Sequence, residues 1–314
     1  MFVQAEMNEA LLSEVRKKAM AVRHEGRVAN YIPELAKVSP DLFSLSCMDT
    51  NGVLWEKGET EHLFTMQSLS KIVALSLAIE KLGTDTVFKY VGMEPSADSF
   101  NSLMRLEMSS PKPSNPFMNA GAIAICSLLY NAYGEDAFDE ICAFMEGMTG
   151  VYPSFSEEVF ESESKTADRN RSLAYFMKSV GFLHGDVETF LNLYFKQCSI
   201  TCRTRDLAKL ALLLGTRGIC CETGKNILQK ETVYTLLGLM TTCGLYNGSG
   251  EFAVRVGVAG KSGVCGGILA VVPGRFGVGV FSPALDAMGN SVAGLRALEL
   301  LSDTLDFRGL ALRK

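Results

Sequence analysis

The chain has 314 residues, 47% hydrophobic and 21% charged, with a formal net charge of -5. That balance fits one large globular domain or two intimate ones and excludes a disordered chain. A mildly acidic sequence without a basic run excludes a nucleic-acid partner, and its longest apolar runs, 120–129 and 268–272, are too short to span a bilayer, so no membrane partner is expected.

The first 19 residues mix acids with apolar side chains and lack a basic start before an apolar core, so no export signal is read and a cytoplasmic location is expected. Nine cysteines, an odd number in no paired framework, predict reduced and mostly buried thiols. Cys198, Cys202, Cys220 and Cys221 are spaced too closely or too far from partners for a zinc site, and His24, His62 and His184 show no ligand spacing. No metal, no cofactor and no histidine triad are expected.

Helical periodicity covers residues 5–23, with Leu11, Leu12, Val15 and Ala19 on one side. Residues 42–47 and 53–57 read as a hairpin around Asp49-Thr50-Asn51-Gly52. An extended run at 63–66 then meets Gln67-Ser68 and turns into a helix whose apolar positions, Ile72, Val73, Leu75, Ala78, Ile79 and Leu82, keep helical spacing. Residues 95–116, rich in Ser, Pro and Asn, read as a long loop suited to gating a pocket. Helices are predicted at 120–133, 136–149, 168–180, 187–196, 204–215 and 230–241. Residues 252–258, 267–272 and 277–282 read as strands, the last two joined by Pro273-Gly274-Arg275, and 290–305 as a closing helix capped near Asn290 and Ser291.

The expected fold class is therefore α/β of the α+β kind: an antiparallel sheet built from N- and C-terminal strands, flanked by helices, with a helical subdomain inserted. The division is placed at 1–63 plus 250–314 for the sheet and 64–249 for the helices.

Ser68 sits at a helix mouth with Lys71 three residues on, the Ser-x-x-Lys spacing of a serine nucleophile and its lysine base. The same spacing recurs at Ser109/Lys112, where Pro111 disfavours a helix, and at Ser162/Lys165, in a polar stretch with no apolar helix behind it. Taken alone, Ser68 reads as a helix cap before it reads as a nucleophile. Gly260-Lys261-Ser262 could end a phosphate loop, but Arg255 stands where that loop needs glycine and a strand follows.

Lys261-Ser262-Gly263 gives Ser68 a better partner. In order and separation the two segments resemble those of the penicillin-recognising serine hydrolases, whose β-lactamase-like fold sets a Lys-Thr-Gly or Lys-Ser-Gly strand against the Ser-x-x-Lys helix. The resemblance sharpens at residues 31–37 (YIPELAK), 115–123 (NPFMNAGAI), 163–170 (ESKTADRN), 194–199 (YFKQCS), Cys243 through Leu245-Tyr246, and 261–267 (KSGVCGG). Across about 31–292 the chain resembles the serine-dependent glutaminases, which implies hydrolysis of L-glutamine to glutamate and ammonia through a serine acyl-enzyme.

Carried over position by position, the resemblance implies Ser68 as nucleophile, Lys71 as base and Tyr246 as a second proton-handling group. The N–H groups of Ser68 and Val264 would form the oxyanion hole, with Lys261 in support. Tyr31, Asn119, Glu163, Asn170 and Tyr194 would hold the amino-acid end of glutamine, and a homo-oligomer, dimer or tetramer, is implied. The residue types suit the ligand: a carboxylate can pair with the α-ammonium, while amides and phenols donate to the α-carboxylate. Each also has a plainer reading, Asn119 as a cap, Asn170 and Glu163 as parts of a polar face, and Tyr194 and Tyr246 as core aromatics. For Lys71 to act as a base its pKa must fall from about 10.4, which burial and a second cation such as Lys261 would bring about. A β-lactamase or D-alanyl-D-alanine peptidase, and a catalytically silent glutamine-binding protein, are the competing expectations.

Overall fold

The structure, a computed structural model, describes residues 6–96, 101–103, 106–107 and 110–308. Helix α1 (Glu9–Met20) begins where the Asn8 side chain accepts from the Leu11 N–H, and it buries Leu12, Val15 and Ala19. Strands β1 (Arg27–Val28), β2 (Ser44–Asp49), β3 (Leu54–Gly58) and β4 (Phe64–Thr65) follow. The hairpin closes at Asp49, whose carboxylate accepts from the Asn51 and Val53 N–H groups across a left-handed Gly52. After β5 (Thr201–Cys202) come β6 (Ala259–Ser262), β7 (Gly267–Val272), β8 (Phe276–Phe281) and β9 (Ala284–Leu285).

The main sheet runs β3-β2-β8-β7-β6, antiparallel throughout, so strands from both ends of the chain interleave as expected. One face packs on α1 and the closing helix Val292–Leu305 through Leu12, Val15, Leu45, Ile268, Val280 and Leu298. The other receives the helix Thr204–Gly215, which can lie so close only because β8 carries Gly277 and Gly279. A Cβ at these positions would come within 2.0 Å of the Ala208 carbonyl and 2.1 Å of the Thr204 carbonyl.

The second and larger core surrounds helix α2 (Ser70–Leu82), which is buried on every side from Ser70 to Ile79. Helices Asn119–Tyr133, Ala137–Thr149, Val187–Cys198 and Lys230–Cys243 contribute to the same core. β4 pairs with β5, so the chain enters α2 from a fixed strand. All nine cysteines are free, and all but Cys220 and Cys221 are buried. Among the described residues no helix is long and apolar enough to cross a membrane.

Two elements differ from the sequence-based expectation. Residues 252–258 alternate Phe252, Val254, Val256 and Val258 like a strand, yet Ser249–Arg255 is a helix. Phe252 and Val256, four apart, are the buried pair, while Val254 is 79% exposed. The polar stretch around Ser162 is also a helix, Glu157–Lys165, started by Ser156 accepting from the Val159 N–H. There Lys165 pairs with Glu161 and the Ser162 hydroxyl accepts from the Glu34 N–H, so that Ser-x-x-Lys pair is engaged elsewhere. Ser109 lies outside the described residues, as does part of the loop on which gating was expected. Its far end is pinned by Gly92 N–H to Pro113 O (2.8 Å) and Glu94 N–H to Ser114 O (3.0 Å).

Candidate active site

β4 holds the approach to Ser68, with the Met66 N–H donating to Ile200 O at 2.7 Å. Gln67 then takes a left-handed φ of +48°, a conformation that costs a non-glycine residue about 1–3 kcal/mol and persists only where surroundings enforce it. Ser68 follows in the tight turn Gln67–Leu69, buried at the mouth of α2. It is no cap: α2 starts at Ser70 without a side-chain cap bond, and the Ser70 hydroxyl donates back to Gln67 O at 2.7 Å.

Lys71 is fully enclosed, and its Nζ donates to Phe117 O (2.9 Å) and Asn119 Oδ1 (2.8 Å). Those two acceptors use both N–H groups of a neutral amine and leave its lone pair available for a proton. Burial lowers the pKa to about 8, opposed by Cys198, Glu163 and Cys126. Asn119 opens its helix without capping it, since its Nδ2 instead donates to Asn170 Oδ1 at 2.9 Å.

Glu163 is buried beside this chain of contacts, accepting from Gln67 Nε2 at 3.3 Å. Burial pushes its pKa up to about 7 against the pull of Gln67 and Lys71. The buried Tyr194 ring lies 5.8 Å from Lys71 Nζ, and burial, Cys198 and Glu163 hold its phenol well above the ordinary range. Tyr31 is 51% exposed, but its hydroxyl end meets the same cluster: burial, then Tyr246 and Glu163, raise its pKa.

The opposite wall comes from the sheet. Lys261, on β6, is fully buried, donates to Ser262 O, and lies 4.9 Å from the Tyr246 ring and 5.6 Å from that of Phe117. Burial and the charge of Lys71 press its pKa well below the ordinary lysine value. Burial is thus what lowers Lys71, while the charge of Lys71 disfavours an ammonium at Lys261.

Tyr246 has φ +52°, so its side chain leaves a left-handed turn. Its hydroxyl meets the Ser68 side chain and the Val264 N–H, which lower a pKa that burial raises far more, so the phenol stays protonated. The loop bearing Val264 is tied to the Ser68 approach by Cys265, whose Sγ donates to Met66 O at 3.7 Å and accepts from the Gly267 N–H at 3.3 Å.

The residues to which the resemblance assigns a role therefore gather between α2 and β6, whereas Ser162 and Lys165 are engaged elsewhere. Gln67, Phe117 and Asn290 are additions to that group. Gln67 could have been found by its place beside Ser68; Phe117 acts through its carbonyl, which any residue would supply. Asn290 read as a helix cap, but Ser291 accepts from the Gly294 N–H and does that work.

The glutaminase family model matches residues 26–309. The chain belongs to the glutaminase family. It is 44% identical to a glutaminase of Alkaliphilus oremlandii over 95% of this chain and 97% of that protein. A Clostridium tetani glutaminase is 47% identical over the same shares. Among solved structures, a probable Bacillus subtilis glutaminase complexed with 6-diazo-5-oxo-L-norleucine superposes with a TM-score of 0.88 at 34% identity, over 98% of both chains. Another structure holds a Bacillus subtilis glutaminase in covalent complex with 5-oxo-L-norleucine, formed by reaction with 6-diazo-5-oxo-L-norleucine (TM-score 0.87, 34% identity, 96% of this chain and 99% of that one). The family and these neighbours carry the β-lactamase-like fold expected, and they set the chain among glutaminases and not β-lactamases.

Proposed function

We propose that Ser68 and Lys71 carry out the glutaminase reaction of this chain, the hydrolysis of the side-chain amide of L-glutamine to L-glutamate and ammonia. The observation that carries the reading is Lys71, a buried amine with pKa about 8 and both neutral-state N–H groups already satisfied, one helical turn from Ser68. Neutral Lys71 takes the Ser68 proton as Oγ attacks the amide carbon. The Ser68 and Val264 N–H groups hold the oxyanion. The proton passes to the leaving nitrogen, with Tyr246, protonated throughout, relaying it; ammonia departs, and water then cleaves the γ-glutamyl ester with Lys71 again as base. No cofactor enters these steps.

Glu163, as carboxylate, pairs with the α-ammonium of the substrate, and Tyr31, Asn119, Asn170 and Tyr194 surround the α-carboxylate end. The resemblance to the family supports a homo-oligomer, dimer or tetramer, and the cysteine usage supports a cytoplasmic location. Free thiols fit a reducing compartment.

The deciding experiment treats the protein with 6-diazo-5-oxo-L-norleucine and locates the adduct by peptide mass spectrometry, with Ser68→Ala assayed for ammonia alongside. The adduct is expected on Ser68, and Ser68→Ala should lose about 10⁴-fold or more of the rate while keeping its circular dichroism. An adduct on another residue, or an active Ser68→Ala protein, removes Ser68 from the role.

A further inference from the structure

The side chain of Asn290 joins two parts of the site wall that are distant in sequence. It is 1% exposed. It ends a tight turn in which Asp286 N–H donates to Asn290 O (2.8 Å), while Asp286 Oδ1 accepts from the Met288 and Asn290 N–H groups (2.8 and 2.9 Å). With its backbone so fixed, the amide reaches away from the turn. Ser262 Oγ donates to its Oδ1 at 2.6 Å, and its Nδ2 donates to Leu245 O at 3.2 Å.

Leu245 O belongs to the peptide that precedes Tyr246, so fixing that carbonyl fixes the plane from which the left-handed φ of Tyr246 departs. Two further restraints hold the same turn. The Gly248 N–H donates to Leu245 O at 2.9 Å, within the turn itself, and Ser249 Oγ accepts from the Leu245 N–H and donates to Tyr246 O, each at 3.0 Å. Asn290 is thus the contact that ties this peptide to the Lys261-Ser262 strand through a side chain. The turn itself lies against the site. A Cβ on Gly289 would sit 3.6 Å from the Tyr246 ring and 3.7 Å from Val264.

We infer that Asn290 is a positioning residue for the reaction, tying the strand of Lys261-Ser262 to the Leu245–Tyr246 peptide so that the strained Tyr246 keeps its hydroxyl on Ser68. The inference rests on the reading of Tyr246 as a proton-handling group. Ser291 caps the closing helix unaided, so the amide of Asn290 is not needed there. Without it, Tyr246 can relax to negative φ and carry its hydroxyl away from Ser68 and the Val264 N–H, while the partners of the substrate's amino-acid end stay in place.

The test measures kcat and KM for glutamine in Asn290→Ala and Asn290→Asp, each alone and combined with Tyr246→Phe. The aspartate keeps the size of the side chain and the acceptor for Ser262 but sets an oxygen against Leu245 O, so it serves if the alanine variant does not fold. Each single variant should lose about tenfold or more in kcat with KM within about threefold, and should add less than about twofold to the loss in Tyr246→Phe. Unchanged kcat, a loss confined to KM, or losses that multiply in the Tyr246→Phe background overturn the role of Asn290 alone. A fully active Tyr246→Phe protein overturns the assignment of Tyr246, and this inference with it.

Discussion

The two walls of the cleft are built on different principles. On the helical side most contacts run from side chain to side chain, Lys71 to Asn119, Asn119 to Asn170 and Gln67 to Glu163, with Phe117 O as a backbone acceptor. On the strand side backbone groups take the larger share, Ser262 O, the Val264 N–H and the Leu245 carbonyl, beside the side-chain pair of Ser262 and Asn290. The contrast shows in the two fully buried lysines. Burial lowers both: Lys71, opposed by Cys198 and Glu163, settles near 8, whereas Lys261, with the charge of Lys71 added to burial, lies well below the ordinary lysine value. One wall is thus equipped to move protons and charge, and the other to present N–H groups and a phenol in fixed places.

The difference is broken most completely at Lys71. Lys71→Met should lower kcat/KM by about 10³-fold or more, because it removes the amine that takes the Ser68 proton. In the parent, activity should rise with pH through about 8, since the reactive amine is the neutral form above its pKa. A pH–rate profile in which the variant keeps that limb would mean that another group is the base.

Glu163→Gln should raise KM for glutamine by about 10- to 100-fold, with less effect on kcat, by removing the partner of the ammonium. It should also change stability in a pH-dependent way. The folded-state pKa of Glu163, about 7, lies above the ordinary 4.5, so its contribution is complete below 4.5 and is lost as pH rises through 7. Glutamine suffers no such loss, so the variant should gain Tm relative to the parent at pH 8 compared with pH 5. A Tm difference independent of pH would show that the carboxyl is not titrating in this window.

The smallest effect is expected at Lys261. Replaced by methionine it should cost less than about tenfold in kcat/KM, and the limb near pH 8 should stay in place because burial, and not Lys261, lowers Lys71. An upward move of that limb would mean that Lys261 carries a charge in the parent and helps depress Lys71.

The sequence carries the strand-side and helix-side motifs because each depends on side-chain identity at fixed spacing. Ser68 with Lys71, and Lys261 with Ser262, are one turn or one strand apart, and the predicted helices and the hairpin follow the periodicity of their buried positions. What escaped is what side-chain pattern does not encode. Phe117 serves by a carbonyl, and the left-handed backbones of Gln67 and Tyr246 fall at residue types that rarely adopt them. The segment 252–258 misled because four apolar residues at alternate positions satisfy a strand, whereas the exposed Val254 between the buried Phe252 and Val256 fits a helix. The helix Glu157–Lys165 buries Glu163 on an otherwise polar stretch, and a buried functional acid looks like a solvated one until its neighbours are known.

The raised pKa of Glu163 ties substrate capture to the protons of the medium. With Glu163 as the proposed partner of the ammonium, part of the free protein carries a neutral carboxyl there near neutrality, and seating the ammonium, which favours the anion, releases protons into the buffer. The heat of glutamine binding will therefore depend on the ionisation enthalpy of the buffer, and acidification will weaken capture at Glu163 as well as silence the base at Lys71.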